Sequence, residues 1–86
     1  MDREQVKEEL TKIVLYIFGV EESEVTEDAD FRNDMYGDSL DEVEMIIMTE
    51  KEFDIQIKLE EADKVRTFGD AVDLVHGIVN SKNITQ

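Results

Sequence analysis

The sequence contains no cysteine, no proline and no tryptophan. Without cysteine, neither a disulfide framework nor a thiolate metal site can form. No apolar run approaches the ~18 residues of a membrane-spanning helix, and no basic leader precedes an apolar segment at the amino terminus. We therefore expect one cytoplasmic domain over residues 1–86, long enough for a modest hydrophobic core.

Basic residues are also scarce, with 9 Lys and Arg against 23 Asp and Glu and a formal net charge of −14. Nucleic-acid binding rests on Lys and Arg that neutralise phosphates, so this balance argues against that class of partner. It favours partners with basic surfaces, and a monomer is the default because nothing in the pattern indicates an oligomer. A hydrophobic content of 41% in periodic order argues against disorder.

The amino-terminal segment has the pattern of an amphipathic helix. Asp2 and Gln5 have the spacing of a capping box, and Gly19 suits the left-handed position that ends a helix. The apolar residues between them recur three and four apart, at Val6, Leu10, Ile13, Val14 and Ile17.

The next segment, residues 21–38, is polar and acidic, and so long a loop is unusual without internal anchors. We expect Val25 and Phe31 to insert into the core, and a helical turn to follow Ser23 or Thr26.

The rest of the chain is organised around the segment that starts at Tyr36 and leads into a second helix, from Ser39 to about Phe53. Ser39 and Glu42 have capping-box spacing and Asp38 is an equally good cap, so Ser39 lies within one residue of the helix start. A phosphate is favoured at such a position, because free backbone N–H groups and the positive end of the helix dipole meet there. The pattern leaves open whether Ser39 only caps the helix or carries a group.

Beyond the second helix, residues 54–58 alternate like a strand but have no strand to pair with, so we expect a connecting segment. Leu59, Ala62 and Val65 predict one short helix. Thr67 and Asp70 predict the cap of a final helix, followed by a polar tail from about residue 80. The buried side of that helix is predicted to carry Phe68, Ala71, Val72, Val75, Ile78 and Val79.

These elements predict an all-α fold. It is a small four-helix bundle of three longer helices and one short one, with a long loop between the first two helices.

Two kinds of chemistry have little support in the sequence. Nucleophilic catalysis would need a base and an orienting acid beside Ser39, and His76 is the only histidine. Asp28-Ala29-Asp30 opens like a calcium-binding loop, but Arg32 and Asn33 follow where a ligand and a glycine are needed. We therefore predict neither an enzyme nor a dedicated calcium site.

The methionines near the second helix, Met35, Met45 and Met48, admit two interpretations. On composition alone they fill the core, but unbranched thioethers also let an interior adapt to a flexible apolar guest. The acidic residues of the same helix likewise form either a solvated face or, interleaved with exposed apolar residues, a docking surface. They are Asp38, Asp41, Glu42 and Glu44, interleaved with Leu40 and Ile47.

Four segments point to one protein family. They are Asp38-Ser39-Leu40, the run from Glu50 to Ile57, Phe18-Gly19-Val20, and Val25-Thr26 with Phe31. Over nearly its whole length the chain resembles the acyl carrier proteins, in which an Asp-Ser-Leu tripeptide is the attachment motif of a prosthetic group.

The resemblance implies that Ser39 accepts 4′-phosphopantetheine from coenzyme A. A separate, magnesium-dependent phosphopantetheinyl transferase catalyses that step, so this chain is a modified substrate and not an enzyme. The thiol of the arm then carries acyl groups as thioesters between partner enzymes. Those enzymes belong to fatty-acid synthesis or to specialised acyl synthesis, whether polyketide-like or lipid-modifying.

The resemblance also implies two binding surfaces. The acyl chain enters a pocket between the helices, lined by Met45, Ile46, Met48 and the final helix. Partner enzymes present Arg and Lys to the second helix and the short helix, and the residues that receive them are Asp38, Leu40, Asp41, Glu44, Ile47, Glu60 and Glu61.

The sequence departs from the family pattern at several positions. Tyr36 occupies the place where many members have glycine, and Gly37 follows it. Thr49 replaces a usual core leucine, Lys51 interrupts the acidic face, and Lys58 replaces a proline or serine. The alternative function is an acidic helical interaction module without a prosthetic group, which would tolerate Ser39→Ala.

Overall fold

A computed structural model describes residues 1–84 of the chain, with side chains as far as Ser81. It contains four α-helices: α1 Arg3–Phe18, α2 Ser39–Phe53, α3 Leu59–Ala62 and α4 Phe68–Ile84. The all-α bundle of three longer helices and one short helix is therefore confirmed. Among the described residues, extended pairing is limited to one antiparallel bridge between Asp30 and Thr67. None of the described helices has the length and apolar character needed to span a membrane.

Helix α1 begins and ends as its sequence predicts. The Asp2 carboxylate accepts the backbone N–H of Gln5 at 2.9 Å, and the Gln5 side chain accepts the backbone N–H of Asp2 at 3.0 Å. Gly19 ends the helix at φ 66°, in the left-handed region that glycine adopts without steric cost. The buried residues of α1 are Val6, Leu10, Ile13 and Val14, with Ile17 half-buried beside them.

The long connection between α1 and α2 is anchored in the core. Val25 and Phe31 are buried, as predicted, and Ala29 and Met35 are buried as well. A 3₁₀ helix at Glu22–Glu24 includes Ser23, so it starts slightly earlier than the predicted turn. A second turn does follow Thr26, whose carbonyl accepts the N–H of Ala29 at 3.0 Å.

Backbone hydrogen bonds attach this connection to the start of α4. The N–H of Phe31 donates to the carbonyl of Arg66 at 3.1 Å, and the N–H of Phe68 donates to the carbonyl of Ala29 at 2.9 Å. The N–H of Gly69 donates to the carbonyl of Glu27 at 2.9 Å. The loop thereby satisfies first-turn N–H groups of α4 that have no partner within the helix.

Helix α2 ends at Phe53, its cap Asp54 adopts φ 54°, and residues 55–58 form the predicted connecting segment. The Glu50 carboxylate holds that segment by accepting the N–H of Ile57 at 2.8 Å. Helix α3 is shorter than the apolar spacing indicated. After Ala62 the chain tightens into i→i+3 bonds, and the N–H of Val65 donates to the carbonyl of Ala62 at 3.1 Å. Val65 therefore lies outside the helix and is half-buried.

The cap of α4 is confirmed. The Thr67 hydroxyl accepts the N–H of Asp70 at 3.1 Å, and the Asp70 carboxylate accepts the N–H of Thr67 at 3.2 Å. Helix α4 continues past residue 80 to Ile84, and the end of the expected polar tail, Thr85 and Gln86, lies outside the described residues. Phe68, Ala71, Val72 and Val75 are buried, whereas Ile78 and Val79 are half-buried.

The core lies mainly between α1, α4 and the long connection. Helix α2 contributes only Met45 and Thr49 as buried residues. Three of its apolar side chains, Leu40, Val43 and Ile47, remain exposed. The fold therefore leaves one side of α2 open to solvent, and the candidate site lies at the beginning of this helix.

Candidate functional site

The first residue of α2 is Ser39, and its hydroxyl is on the surface. The cap of the helix is Asp38, whose carboxylate accepts the N–H of Asp41 at 3.0 Å, while the Asp41 carboxylate accepts the N–H of Asp38 at 3.2 Å. Ser39 thus lies within one residue of the helix start, as predicted, and of the two possible capping boxes the one that forms is Asp38 with Asp41 and not Ser39 with Glu42. Both pairs have the required spacing, and the chain adopts the one whose two members are carboxylates.

This choice of cap matters for Ser39. Its hydroxyl does not participate in the capping box, and the backbone N–H groups of Ser39 and Leu40 have no partner among the described residues. An anion attached to the Ser39 oxygen would lie close to these N–H groups at the positive end of the helix.

The loop before Ser39 is held in an unusual conformation. Tyr36 adopts φ 57° although it is not glycine, and its side chain is 83% exposed. The next residue, Gly37, donates its N–H to the carbonyl of Phe31 at 2.8 Å. A Cβ at Gly37 would collide with the Phe18 ring and lie 3.0 Å from the Phe31 carbonyl oxygen. The rings of Phe18 and Phe31 are stacked, with centroids 5.7 Å apart. The backbone at Gly37 lies so close to this pair that a side chain does not fit there.

A cavity of about 340 Å³ opens beside Ser39 and extends between α2, α3 and α4. Its volume lies at the lower end of the range of small-molecule sites. Most of its lining is apolar and comes from every α-helix of the bundle. The lining residues are Leu10, Phe31, Arg32, Ser39, Glu42, Val43, Met45, Ile46, Thr49, Ile57, Leu59, Ala62, Asp63, Val65, Ala71, Leu74 and Val75.

Of the three residues expected to line an acyl pocket from α2, the cavity includes Met45 and Ile46 but not Met48. Met48 is half-buried and packs against the edge of the core instead. Met45 and Thr49 are four residues apart and share the inward face of α2, so Met48 lies to the side of that face. From the final helix, Ala71, Leu74 and Val75 line the cavity.

Arg32 and Glu42 form an ion pair at the same cavity, and neither was expected to line a pocket. Arg32 Nε lies 2.8 Å from Glu42 Oε2, which links the long connection to the first turns of α2. The hydrogen bond that Arg32 donates to the Glu42 carboxylate is the main cause that raises the pKa of Arg32 above its usual value. A polar recess adjoins the cavity here, and Asp30, Asp63 and Arg66 contribute to it. The two partners are ten residues apart in sequence, so no local pattern indicates the pair.

The acidic face of α2 reaches the surface as expected. Glu44 is exposed, Asp41 is half-buried, and Leu40 and Ile47 beside them are 79% and 46% exposed. On α3, Glu60 is exposed and Glu61 half-buried. Val43 and Leu59 are also exposed apolar residues of this surface, although sequence reasoning had not assigned them to it. Exposed apolar side chains rimmed by charge of one sign are typical of a protein-binding surface.

The residues considered for other chemistry are engaged elsewhere. His76 Nε2 lies 2.8 Å from Asn80 Nδ2, one turn further along α4. The Asp30 carboxylate accepts the N–H groups of Arg32 and Asn33, and these bonds hold the pKa of Asp30 below its usual value. Within residues 1–84, no cluster of three or more His, Cys, Asp or Glu side chains is arranged to hold a metal ion.

Comparison with known proteins gives one consistent result. The family model described as "Phosphopantetheine attachment site" matches residues 8–75. The chain is 47% identical over 75 residues to the acyl carrier protein of Rubrobacter xylanophilus, covering 87% of this chain and 93% of that protein. It is also similar to the solved acyl carrier protein from Enterococcus faecalis, a structure described for its high thermal stability. That similarity has a TM-score of 0.77 and 33% identity, covering 91% of this chain and 99% of the other.

Proposed function

This chain belongs to the acyl carrier protein family, which carries acyl groups on 4′-phosphopantetheine, and from that premise we propose that Ser39 is the attachment residue. The observation that carries the proposal is the position of the Ser39 hydroxyl. It is exposed at the first residue of α2, takes no part in the helix cap, and borders the apolar cavity.

The residues around Ser39 fit the group. The attached phosphate would lie near the free N–H groups of Ser39 and Leu40. The adjoining apolar cavity offers a place for a chain carried on the arm. When bound, the arm supplies a thiol that holds acyl groups as thioesters.

The attachment reaction requires a separate enzyme. The Ser39 oxygen attacks the phosphorus of coenzyme A that bears the pantetheine, a new O–P bond forms, and the adenosine bisphosphate half leaves. Activating the hydroxyl requires a base, which the phosphopantetheinyl transferase supplies together with magnesium. In this proposal the chain is a substrate of that transferase, and its own residues position the hydroxyl.

The cavity is the proposed acyl pocket, formed from α2 by Met45 and Ile46 and from α4 by Ala71, Leu74 and Val75. A thioether in the wall can adopt several rotamers, so Met45 suits a chain of variable shape.

The acidic surface of α2 and α3 is the proposed docking site for partner enzymes. Its charged members are Asp38, Asp41, Glu44, Glu60 and Glu61, and its apolar members are Leu40 and Ile47. A basic partner surface would be attracted by the charges, while the exposed apolar side chains are buried on contact. The partners are the transferase and the enzymes of fatty-acid or specialised acyl synthesis. The cytoplasmic location, the monomeric state and the domain limits at residues 1 and 86 remain predictions.

Intact-mass measurement tests the attachment site. The protein is incubated with coenzyme A, magnesium and a transferase of broad specificity, beside the variants Ser39→Ala and Ser23→Ala. Because Asp38 caps α2, Ser39→Ala removes the hydroxyl without removing the cap. We expect one phosphopantetheine on the parent and on Ser23→Ala, and none on Ser39→Ala. A folded parent that gains no mass would favour the interaction module without a prosthetic group, and a modified Ser39→Ala would place the arm elsewhere.

A further inference from the structure

One polar side chain in the described part of the bundle is buried without a partner. Thr49 of α2 is 2% exposed, and it is the one buried polar or charged residue among those described. Its Oγ1 has no hydrogen-bond partner among the described residues. Burying a hydroxyl without a hydrogen bond destabilises a fold, so this position calls for an explanation.

A threonine within a helix has a ready local partner, which Thr49 does not use. The hydroxyl of such a residue can donate to the carbonyl four residues earlier. Thr11 of α1 does so, with its Oγ1 2.7 Å from the carbonyl oxygen of Lys7. Thr49 makes no such bond to Met45. The Thr49 hydroxyl therefore keeps an unused hydrogen-bonding capacity, and because its oxygen is covered, an entering group reaches it where the neighbouring side chains shift.

The cavity beside Ser39 is where such a group would enter, because Thr49 lines it. Its buried neighbours in that lining are apolar, among them Leu10, Phe31, Met45 and Val75. Of the other polar lining residues, Ser39, Arg32 and Asp63 are exposed and Glu42 is half-buried. Thr49 follows Ser39 by ten residues on the same helix, a rise of about 15 Å. A water bound in this interior would need two to four polar partners, and one hydroxyl among apolar side chains does not supply them.

We propose that Thr49 makes this carrier selective for acyl chains that bear a hydroxyl or ketone oxygen along their length. The inference rests on the proposed function, because it requires an acyl chain delivered into the cavity by an arm on Ser39. The Thr49 hydroxyl donates to a ketone oxygen, and it donates to or accepts from a hydroxyl group. A saturated chain fills the same space but leaves the Thr49 hydroxyl without a partner. The loaded protein is therefore more stable with an oxygenated acyl chain than with a saturated one.

The test compares cargoes of equal length. A transferase of broad specificity loads the protein directly from acyl-coenzyme A derivatives, and intact mass confirms each loading. The chains are a saturated ten-carbon acyl group and its hydroxy and oxo derivatives, with the oxygen placed at successive positions from the thioester to the far end. The readout is the Tm of each loaded protein relative to the saturated one.

Two variants make the same chemical change at different places. Thr49→Val removes the hydroxyl in the cavity and keeps the shape of the side chain. Thr11→Val removes a hydroxyl that is bonded within α1 and does not line the cavity. We expect at least one oxygen position to raise the Tm of the parent by about 2–6 °C over the saturated chain. A third variant, Thr49→Ser, keeps a hydroxyl at this position and should show the same rise. Thr11→Val should keep that advantage, and Thr49→Val should lose it.

The unloaded proteins provide an independent readout. Without cargo, Thr49→Val should melt above the parent, because it no longer buries an unpaired hydroxyl. The inference is overturned if no oxygenated chain raises the Tm over the saturated chain, or if Thr49→Val keeps the advantage. Either result is distinct from failure of the proposed function, in which no mass would be added at the loading step.

Discussion

Arg3 and Glu27 are joined by two parallel hydrogen bonds, with Nη1 2.6 Å from Oε2 and Nη2 2.7 Å from Oε1. Arg3 also donates from Nε to Asp73 of α4 at 2.8 Å. One guanidinium thus links α1, the long connection and α4. Such two-pronged Arg–carboxylate pairs are the stronger kind of surface ion pair. The hydrogen bond from Arg3 is the largest cause that lowers the pKa of Glu27, to about 2.

The depressed pKa of Glu27 makes its contribution to stability depend on pH. Since the folded-state pKa lies below the ordinary value of 4.5, the contribution is fully present above pH 4.5 and is lost as the pH falls toward 2. We expect Glu27→Gln to melt below the parent at pH 6 and the gap to close progressively below pH 4.5. Glu8→Gln, which removes an exposed charge from α1, controls for net charge. A gap that stays constant down to pH 2 would contradict the assignment.

Replacing Tyr36 by glycine should stabilise the protein. A side chain at φ 57° costs about 1–2 kcal/mol, and glycine avoids this cost but loses more chain entropy on folding. We expect a net gain of about 0.5–1 kcal/mol, a Tm rise of about 2–6 °C. Tyr36→Ala keeps a Cβ at the same φ, so it should show no such rise. Equal Tm changes for the two variants would mean that loss of the exposed ring, and not backbone relief, is responsible.

Phe31 and Ile47 should differ sharply when each is replaced by alanine. Phe31 is 6% exposed and contacts the Phe18 ring, so Phe31→Ala should cost about 3–5 kcal/mol in urea-unfolding free energy. Ile47 lies on the surface, so Ile47→Ala should change that free energy by about 0.5 kcal/mol or less. Ile47→Ala should instead weaken binding to partner enzymes. Comparable stability losses would show that the buried and docking faces are wrongly assigned.

Charge reversal at Glu44 tests the docking surface. We expect Glu44→Lys to slow modification by the transferase roughly several-fold at low salt, and the effect to shrink as salt screens the attraction. Glu8→Lys makes the same charge change on α1 and should leave the rate nearly unchanged. Asp38→Arg is a poorer probe of docking, because it also removes the cap of α2 and so lowers the stability of the fold by about 1 kcal/mol. Equal rates for the parent and Glu44→Lys at low salt would exclude Glu44 from the docking site.

Added salt should stabilise a chain with a net charge of −14. The negative charges repel one another in the folded state, and cations weaken that repulsion. We expect the Tm to rise across a magnesium titration, and sodium chloride at matched ionic strength will separate screening from binding of the divalent ion. A Tm that does not move with either salt would show that repulsion has no measurable effect on stability.

The helix limits follow from local patterns, and for that reason the sequence predicts them well. Asp2 with Gln5, Gly19, and Thr67 with Asp70 each act within one turn of chain, so spacing alone identifies them. The start of α2 is harder, because Asp38 and Ser39 can both cap it. Spacing does not distinguish their boxes, and only the folded geometry selects Asp38.

The site depends more on tertiary packing, and there the sequence is less informative. Arg32 with Glu42 and Arg3 with Glu27 pair across ten and 24 positions, which no helical period encodes. Whether Met48 or Thr49 faces the cavity depends on the rotation of α2 against α4. Ser39 could be proposed from the sequence because its motif is local, whereas the lining of the cavity required the assembled bundle.

The backbone bonds between the long connection and α4 give the cavity walls unequal stiffness. One wall of the cavity includes Phe31 of the long connection and Val75 of α4. Backbone hydrogen bonds from Phe31 to Arg66 and from Phe68 to Ala29 join the long connection to the start of α4. The opposite wall includes α3, a single turn without a buried residue. We therefore expect a guest too large for the cavity to displace α3 before the other wall. A larger acyl group would then displace the surface that carries Glu60 and Glu61, which is the surface proposed to contact partner enzymes.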